Sequence, residues 1–247
     1  MTIDSNNLST IVLAIELSNP SASADAHAAA VFCADDDDSA GPVSLIGSRP
    51  IPDGIRSSDA IMVLIESLCA AHQIKPTQIA RIIVSIGPGG YTALRIASTT
   101  AKVLAHTLGC ELVAVPSAAV GAQAIEPSHR PALIALASKN QMAHCSLVHE
   151  DGRVESLGVL DAQGIGELSL RAIFADKHLP GSFVGLANDR GISIEPLVLD
   201  ARHCVSAAAG IAPIDPDELR PIYAREPDAV TQWRARGQTK TSPKPQS

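Results

Sequence analysis

Residues 81–108 read RIIVSI, GPGG, YTALRIASTTAKVLAHTL: an apolar run of β character that passes through three glycines and a proline into a long helical stretch. A buried strand feeding a helix through a tight turn is the building unit of α/β architectures, so this segment restricts the fold more than any other. In the helical stretch Leu94, Ala97, Ala101, Leu104 and Leu108 recur at intervals of three and four, and Gly109 follows in the usual position of a C-terminal cap. Glycine permits positive φ and close backbone approach, and a helix N-terminus offers free N–H groups with partial positive charge. Gly87, Gly89 and Gly90 therefore either cradle a phosphate or form a tight structural turn. The segment has neither the Gly-Lys-Ser/Thr of a P-loop nor a GxGxxG pattern, which favours the turn.

The rest of the chain repeats the alternation. Residues 11–17 form a short apolar strand stopped by Ser18-Asn19-Pro20, and runs at 27–33 and 43–47 flank an acidic turn, Asp35 to Asp38, expected as a solvated hairpin tip. Ser57-Ser58-Asp59 is a capping sequence before a helix that carries Ile61, Leu64, Ile65 and Leu68 on one face and ends near His72. Beyond this the pattern predicts strands at 111–115, 133–137, 143–148 and 182–186, and helices at 117–125, 166–175 and 205–211. The order implies an α/β protein of two related lobes, residues 1–116 and 117–233, with a disordered basic tail at 234–247.

A chain of 247 residues with 46 % hydrophobic and 18 % charged residues can bury a large core. Aromatics make up only 2 %, so that core is built of Ala, Val, Ile and Leu, and no aromatic platform for stacking single-stranded bases is available. The formal charge is -7, and the four basic residues from Arg234 onward (Arg234, Arg236, Lys240, Lys244) have no acid among them, so the body before them is more acidic still. Such a body repels polyphosphate, which argues against unaided nucleic-acid binding. Five widely spaced cysteines without a CxxC motif read as reduced thiols, and neither a signal-like start nor an apolar run of about 18 residues is present, so a cytoplasmic location is expected. Eight scattered histidines give no metal-binding pair. Ser117, in VPSAAV, lacks the GxSxG context of a nucleophile and reads as a helix cap. No residue is assigned a catalytic role.

The block GPGGYTALRIASTTAKVLAHTLGCELVAVPSAAV resembles the GPGSFTGLRIG...AKGLA...GIPLVGVSSL segment of the TsaB (YeaZ) family, partner subunits in tRNA threonylcarbamoyladenosine synthesis. Residues 11–18 resemble that family's opening strand ILAIDTS, and Pro221-Ile222-Tyr223-Ala224-Arg225 its closing PxYLR, so the likeness spans about 11–233. The resemblance implies an ASKHA fold of two RNase-H-like lobes, related to actin and Hsp70. It also implies a non-catalytic role beside a TsaD-like transferase and a TsaE-like ATPase. ATP and metal would then belong to those partners, tRNA would be met only through the complex, a homodimer is possible, and no membrane is involved.

The docking surface implied by position lies on the first two helices: Ile61, Met62, Ile65 and Cys69 on one, Tyr91, Leu94, Arg95, Ser98 and Lys102 on the other. Arg95 and Lys102 would meet partner carboxylates at its rim. The small-residue stripe of the second helix is either buried in its own lobe or shared with the partner. Several family positions differ. Glu16-Leu17-Ser18 replaces Asp-Thr/Ser, Arg56-Ser57-Ser58-Asp59 replaces His-Ser-Glu, Gly90 and Ala93 stand for Ser and Gly, and Ala137-Ser138-Lys139 replaces Asp-Ala-Arg. Glu16 with Gly87, Gly89 and Gly90 is the candidate nucleotide contact, with a plain strand-end carboxylate as the other reading of Glu16. Two rivals stand beside the subunit: an ATP-dependent ASKHA enzyme acting alone, and a self-associating paralogue that does not bind TsaD.

Overall fold

A central strand covered on both faces must be apolar at every position, and VLAI at the heart of β1 (Thr10–Ile15) meets that demand. The computed structural model describes residues 10–18, 30–35, 44–51 and 57–223. In it β1 lies at the middle of a five-stranded sheet with β2 (Ala30–Asp35), β3 (Ser44–Arg49), β4 (Ile79–Ser85) and β5 (Glu111–Val115), in the order β3-β2-β1-β4-β5. β1, β2 and β3 pair antiparallel, whereas β4 and β5 run parallel to β1. Parallel neighbours need helical crossovers, supplied by α1 (Ser57–His72) before β4 and α2 (Tyr91–Leu108) between β4 and β5. Ile11, Leu13, Ile15, Phe32, Ile82 and Val84 pack beneath these two helices. Val12, Ala14, Val31, Ile83 and Val113 alternate onto the opposite face.

A second sheet holds β6 (Ala132–Ala137), β7 (Ala143–Val148), β8 (Val154–Leu160), β9 (Ala172–Ala175) and β10 (Ser193–Pro196), in the order β10-β9-β6-β7-β8. Its first three strands are antiparallel in succession and its last two parallel to the first, so it repeats the connectivity of the first sheet. Between the sheets lie α3 (Ser117–Ala122) and α5 (Ala201–Ala207). Their Ala118, Val120, Ala201 and Cys204 join Val12, Ala14 and Ile83 of the first sheet and Ile134 and Leu136 of the second in one core. The outer face of the second sheet is closed by α4 (Gly181–Arg190) through Phe183 and Ala187. The chain is thus layered helix, sheet, helix, sheet, helix.

Two expectations for the second half are corrected, and two edge strands are added to it. Residues 166–175, read as a helix, end in strand β9, because AIFA is a short apolar run lying between two strands. Residues 182–186, read as a strand, belong to helix α4. Pro180 supplies its N-cap, Phe183 and Ala187 bury at i and i+4, and Gly191 ends it at φ 65°. The edge strands β8 and β10 carry mixed polar sequence and were not foreseen. The acidic turn at 36–38 and the basic tail lie outside the described residues.

Residues 214–223 return to the first sheet, although they fall in the span read as the second lobe. Ile214 bridges Leu112 through an N–H···O bond of 2.8 Å, giving the outer edge of β5 a partner. Leu219 is buried in the core beneath α1 and α2, and the Ile222 N–H donates to the Ile86 carbonyl at 2.7 Å.

Gly109 ends α2 in the left-handed conformation, φ 66°, with open space where a Cβ would lie. Gly109→Ala is therefore expected to lower stability by about 1 kcal/mol through backbone strain alone. A urea titration should show the midpoint falling with an unchanged slope.

The glycine turn and the outer face of the first two helices

The turn between β4 and α2 is wedged against the chain itself. Gly87 has φ 102°, and a Cβ there would collide with the Ile222 carbonyl oxygen and the Leu94 side chain. A Cβ on Gly89 would overlap the Ser18 carbonyl oxygen, and the Gly90 N–H donates to that same oxygen at 2.6 Å. The Ser117 N–H donates to the Gly87 carbonyl at 2.8 Å. The glycines are thus required for close approach of backbone to backbone. Of the two readings of this turn, the close contacts favour the structural one: the Ser18 carbonyl, three residues beyond β1, lies against Gly89.

Below the turn lies a buried polar cluster. Glu16 is 5 % exposed; its Oε1 accepts the Ser18 N–H at 2.5 Å, and the Ser18 and Ser85 hydroxyls lie beside its carboxyl. Burial, reinforced by the negative charge of Asp200, raises the carboxyl of Glu16 above its ordinary value. Asp200 is fully buried and caps α5 by accepting the Arg202 N–H at 2.8 Å; it also takes the Arg202 guanidinium at 2.9 and 2.6 Å. The Ser85 and Ser117 hydroxyls lie 2.9 Å apart. Ser117 is therefore not the expected cap: Pro116 takes that position, and the hydroxyl turns inward to Ser85. Burial and the nearby Glu16 and Asp200 push the Cys204 thiol well up, which leaves it a poor nucleophile.

The docking candidates divide by helical face. Ile61, Ile65, Leu94 and Ser98 are buried and cannot meet a partner. Ile61 and Ile65 belong to the inward stripe with Leu64, Leu68, Ala97 and Ala101, which packs in the core of the first sheet, while the Leu94 side chain lies against Gly87. Cys69 is half-buried against the same core. Met62 and Tyr91 remain exposed, at 52 % and 48 %, as does Arg95. Lys102 is half-buried, and its Nζ donates to the Asp217 carbonyl at 3.4 Å, while His106 Nε2 is 3.2 Å from Asp217 Oδ1, so this end of α2 holds the returning segment.

Val63 and Val103, 60 % and 55 % exposed, were not singled out for docking. The signal for Val63 was present, since Met62 and Val63 lie outside an inward stripe already complete. A groove of about 380 Å³ runs between the two helices, lined by Met62, Thr92, Arg95, Ile96 and Thr99 among others. The guanidinium of Arg95, one of the lining residues, sits 5.5 Å from the centre of the Tyr91 ring, and the centres of the Tyr91 and Tyr223 rings are 4.9 Å apart. Among the described residues no three His, Cys, Asp or Glu side chains converge as metal ligands. None of their helices is long and apolar enough to cross a membrane.

The family model described as TsaD, tRNA N6-adenosine threonylcarbamoyltransferase, matches residues 54–176, which run from the start of α1 through β9. Two solved structures from Pseudomonas aeruginosa superpose on most of the chain. One, described as an uncharacterized protein with similarity to peptidase YeaZ, superposes with a TM-score of 0.60 at 16 % identity, covering 87 % of this chain and 100 % of that one. The other, YeaZ, superposes with a TM-score of 0.60 at 15 % identity, covering 87 % and 99 %. The chain has a YeaZ-like fold, within which residues 54–176 resemble the TsaD model. No curated protein matches it in sequence. The repeated connectivity of its two sheets accords with the two RNase-H-like lobes of the ASKHA arrangement. Identity of 15–16 % is also in keeping with departures such as Glu16 at the end of the opening strand.

Proposed function

We propose that this chain is a non-catalytic subunit of the machinery that makes threonylcarbamoyladenosine in tRNA, docking onto a TsaD-like transferase through the outer side of α1 and α2. The TsaD-type match and the YeaZ-like fold support the general role. The observation that carries the reading is a contrast. The glycine turn is filled by the chain's own backbone, whereas Met62, Val63, Tyr91 and Val103 stay exposed on the two adjacent helices. The subunit would act by binding one conformation of the transferase better than another. ATP and metal would reside on the transferase and on a TsaE-like ATPase, tRNA would be met through the complex, and the site of action would be the cytoplasm.

The Ser117 hydroxyl, at the junction of β5 and α3, bonds the Ser85 hydroxyl and not a histidine, which lends a peptidase reading no support. One observation favours an ATP-using enzyme acting alone: the carboxyl of Glu16, buried close to the glycine turn. Micromolar nucleotide binding with turnover by the isolated chain, abolished in Glu16→Gln, would select that reading.

Docking is tested by titrating the full chain into the host's TsaD-like transferase in a calorimeter. Met62→Glu and Arg95→Glu, both at exposed positions, should each weaken binding by about tenfold, which is about 1.4 kcal/mol, with thermal midpoints unchanged. Binding only to its own copies would instead identify a self-associating paralogue.

A further inference from the structure

The chain has only two tyrosines, and the fold brings them together: the ring centres of Tyr91 and Tyr223 lie 4.9 Å apart at an interplanar angle of 36°. Arg95, one turn beyond Tyr91 on α2, places its guanidinium 5.5 Å from the centre of the Tyr91 ring and lines the groove between α1 and α2. Its charge also reaches the Tyr223 phenol, where it opposes the upward shift that burial imposes. The three side chains form one cluster, with Tyr91 and Arg95 exposed and Tyr223 half-buried. We infer that Tyr223 is a positioning residue of the docking face. Its ring holds Tyr91 and, through it, Arg95, whose guanidinium receives an Asp or Glu carboxylate of the transferase; the inference rests on the docking reading above.

The main chain brings Tyr223 to this place without help from its ring. Leu219 is buried in the core beneath α1 and α2, and the Ile222 N–H donates to the Ile86 carbonyl at 2.7 Å. The Ile222 carbonyl in turn sits so close to Gly87 that a Cβ there has no room. The ring of Tyr223 is thus left to act on its neighbours. A free arginine side chain loses much rotamer freedom when it binds, whereas one already packed on a ring loses less, so the stack prepares Arg95 for a partner. Tyrosine and arginine are also the residues in which the energetic centres of protein interfaces are enriched. Charge fixes the kind of group received. Lys102 and His106, further along α2, are engaged by Asp217, which leaves Arg95 as the cation this helix offers outward. A guanidinium fork takes a carboxylate through two parallel hydrogen bonds.

Full-length variants titrated into the host's TsaD-like transferase test this. Tyr223→Ala and Tyr223→Leu should each weaken binding about tenfold, while Tyr223→Phe, which keeps the ring, should bind within about twofold of the unmodified chain. The backbone anchors at 219–222 are untouched, so the thermal midpoint should fall by no more than about 4 °C in any of the three. Action through Arg95 has two signatures that a merely structural role would not produce. The double variant Arg95→Ala, Tyr223→Ala should bind about as well as Arg95→Ala alone, and Tyr223→Ala should flatten the salt dependence of the affinity. Additive losses or an unchanged salt dependence overturn the inference. If Met62→Glu weakens binding while Tyr223→Ala and Tyr223→Leu do not, the role of Tyr223 falls and the docking reading stands. If the unmodified chain does not bind the transferase, the docking reading falls and takes this inference with it.

Discussion

Gly89→Ala should cost at least about 3 kcal/mol and lower the melting temperature by about 6–12 °C for a chain of this size. The added methyl would overlap the Ser18 carbonyl oxygen, and that oxygen also accepts the Gly90 N–H at 2.6 Å. Both sides of the clash are backbone, so no rotamer relieves it; either the end of β1 or the start of α2 must move. The neighbouring glycine supplies the control. At Gly90, φ is -63° and a Cβ would meet the Ser18 oxygen only at 3.8 Å, so Gly90→Ala should change stability by less than about 0.5 kcal/mol. Thermal melts of the two variants side by side distinguish a wedge at Gly89 from a general intolerance of the turn. Equal midpoints would show that the turn does not press on β1.

The second large effect is a pH dependence set by Glu16. Burial raises this carboxyl above its ordinary value near 4.5, so in the window between that value and the raised one the folded chain holds a proton the unfolded chain has released. Stability attributable to this group is complete below about pH 4.5, falls as pH rises through the window, and stays low above it. The slope is at most about 1.4 kcal/mol per pH unit for one proton. Glu16→Gln removes the titration while keeping an oxygen to accept the Ser18 N–H. Denaturant midpoints from pH 5 to 9 should fall more steeply for the unmodified chain than for this variant, which should be the more stable at alkaline pH. Parallel pH profiles would mean that Glu16 is ionised in the fold without penalty.

The first sheet and its helices were legible because each carries a strong periodic signal. Residues 91–108 and 111–115 coincide with α2 and β5, and the apolar run at 11–17 with β1. The second half was less legible where elements are short. AIFA in β9 is four residues, too few to show a period, and SFVGL reads as a strand until Pro180 and Gly191 are seen as the two ends of a helix. Among the residues proposed for docking, the reading from sequence mixed the two sides of α1 and α2. Ile61 and Met62 are neighbours in sequence, yet one is buried and the other half exposed, a distinction that depends on where the sheet lies. The wedge of Gly89 on Ser18 joins residues some seventy positions apart, and no local pattern encodes such a contact.

The return of residues 214–223 to the first sheet bears on how the molecule can be divided. A fragment cut at Pro116 would keep α1 and α2 but lose Leu219 from beneath them and leave the edge of β5 bare where Ile214 pairs. During synthesis the same seat stays empty until residues 214–223 leave the ribosome, so the first sheet waits on a segment made about a hundred residues after its last strand. The helices α1 and α2 thus gain their full support only after the second sheet has been made, which binds the two halves into one folding unit.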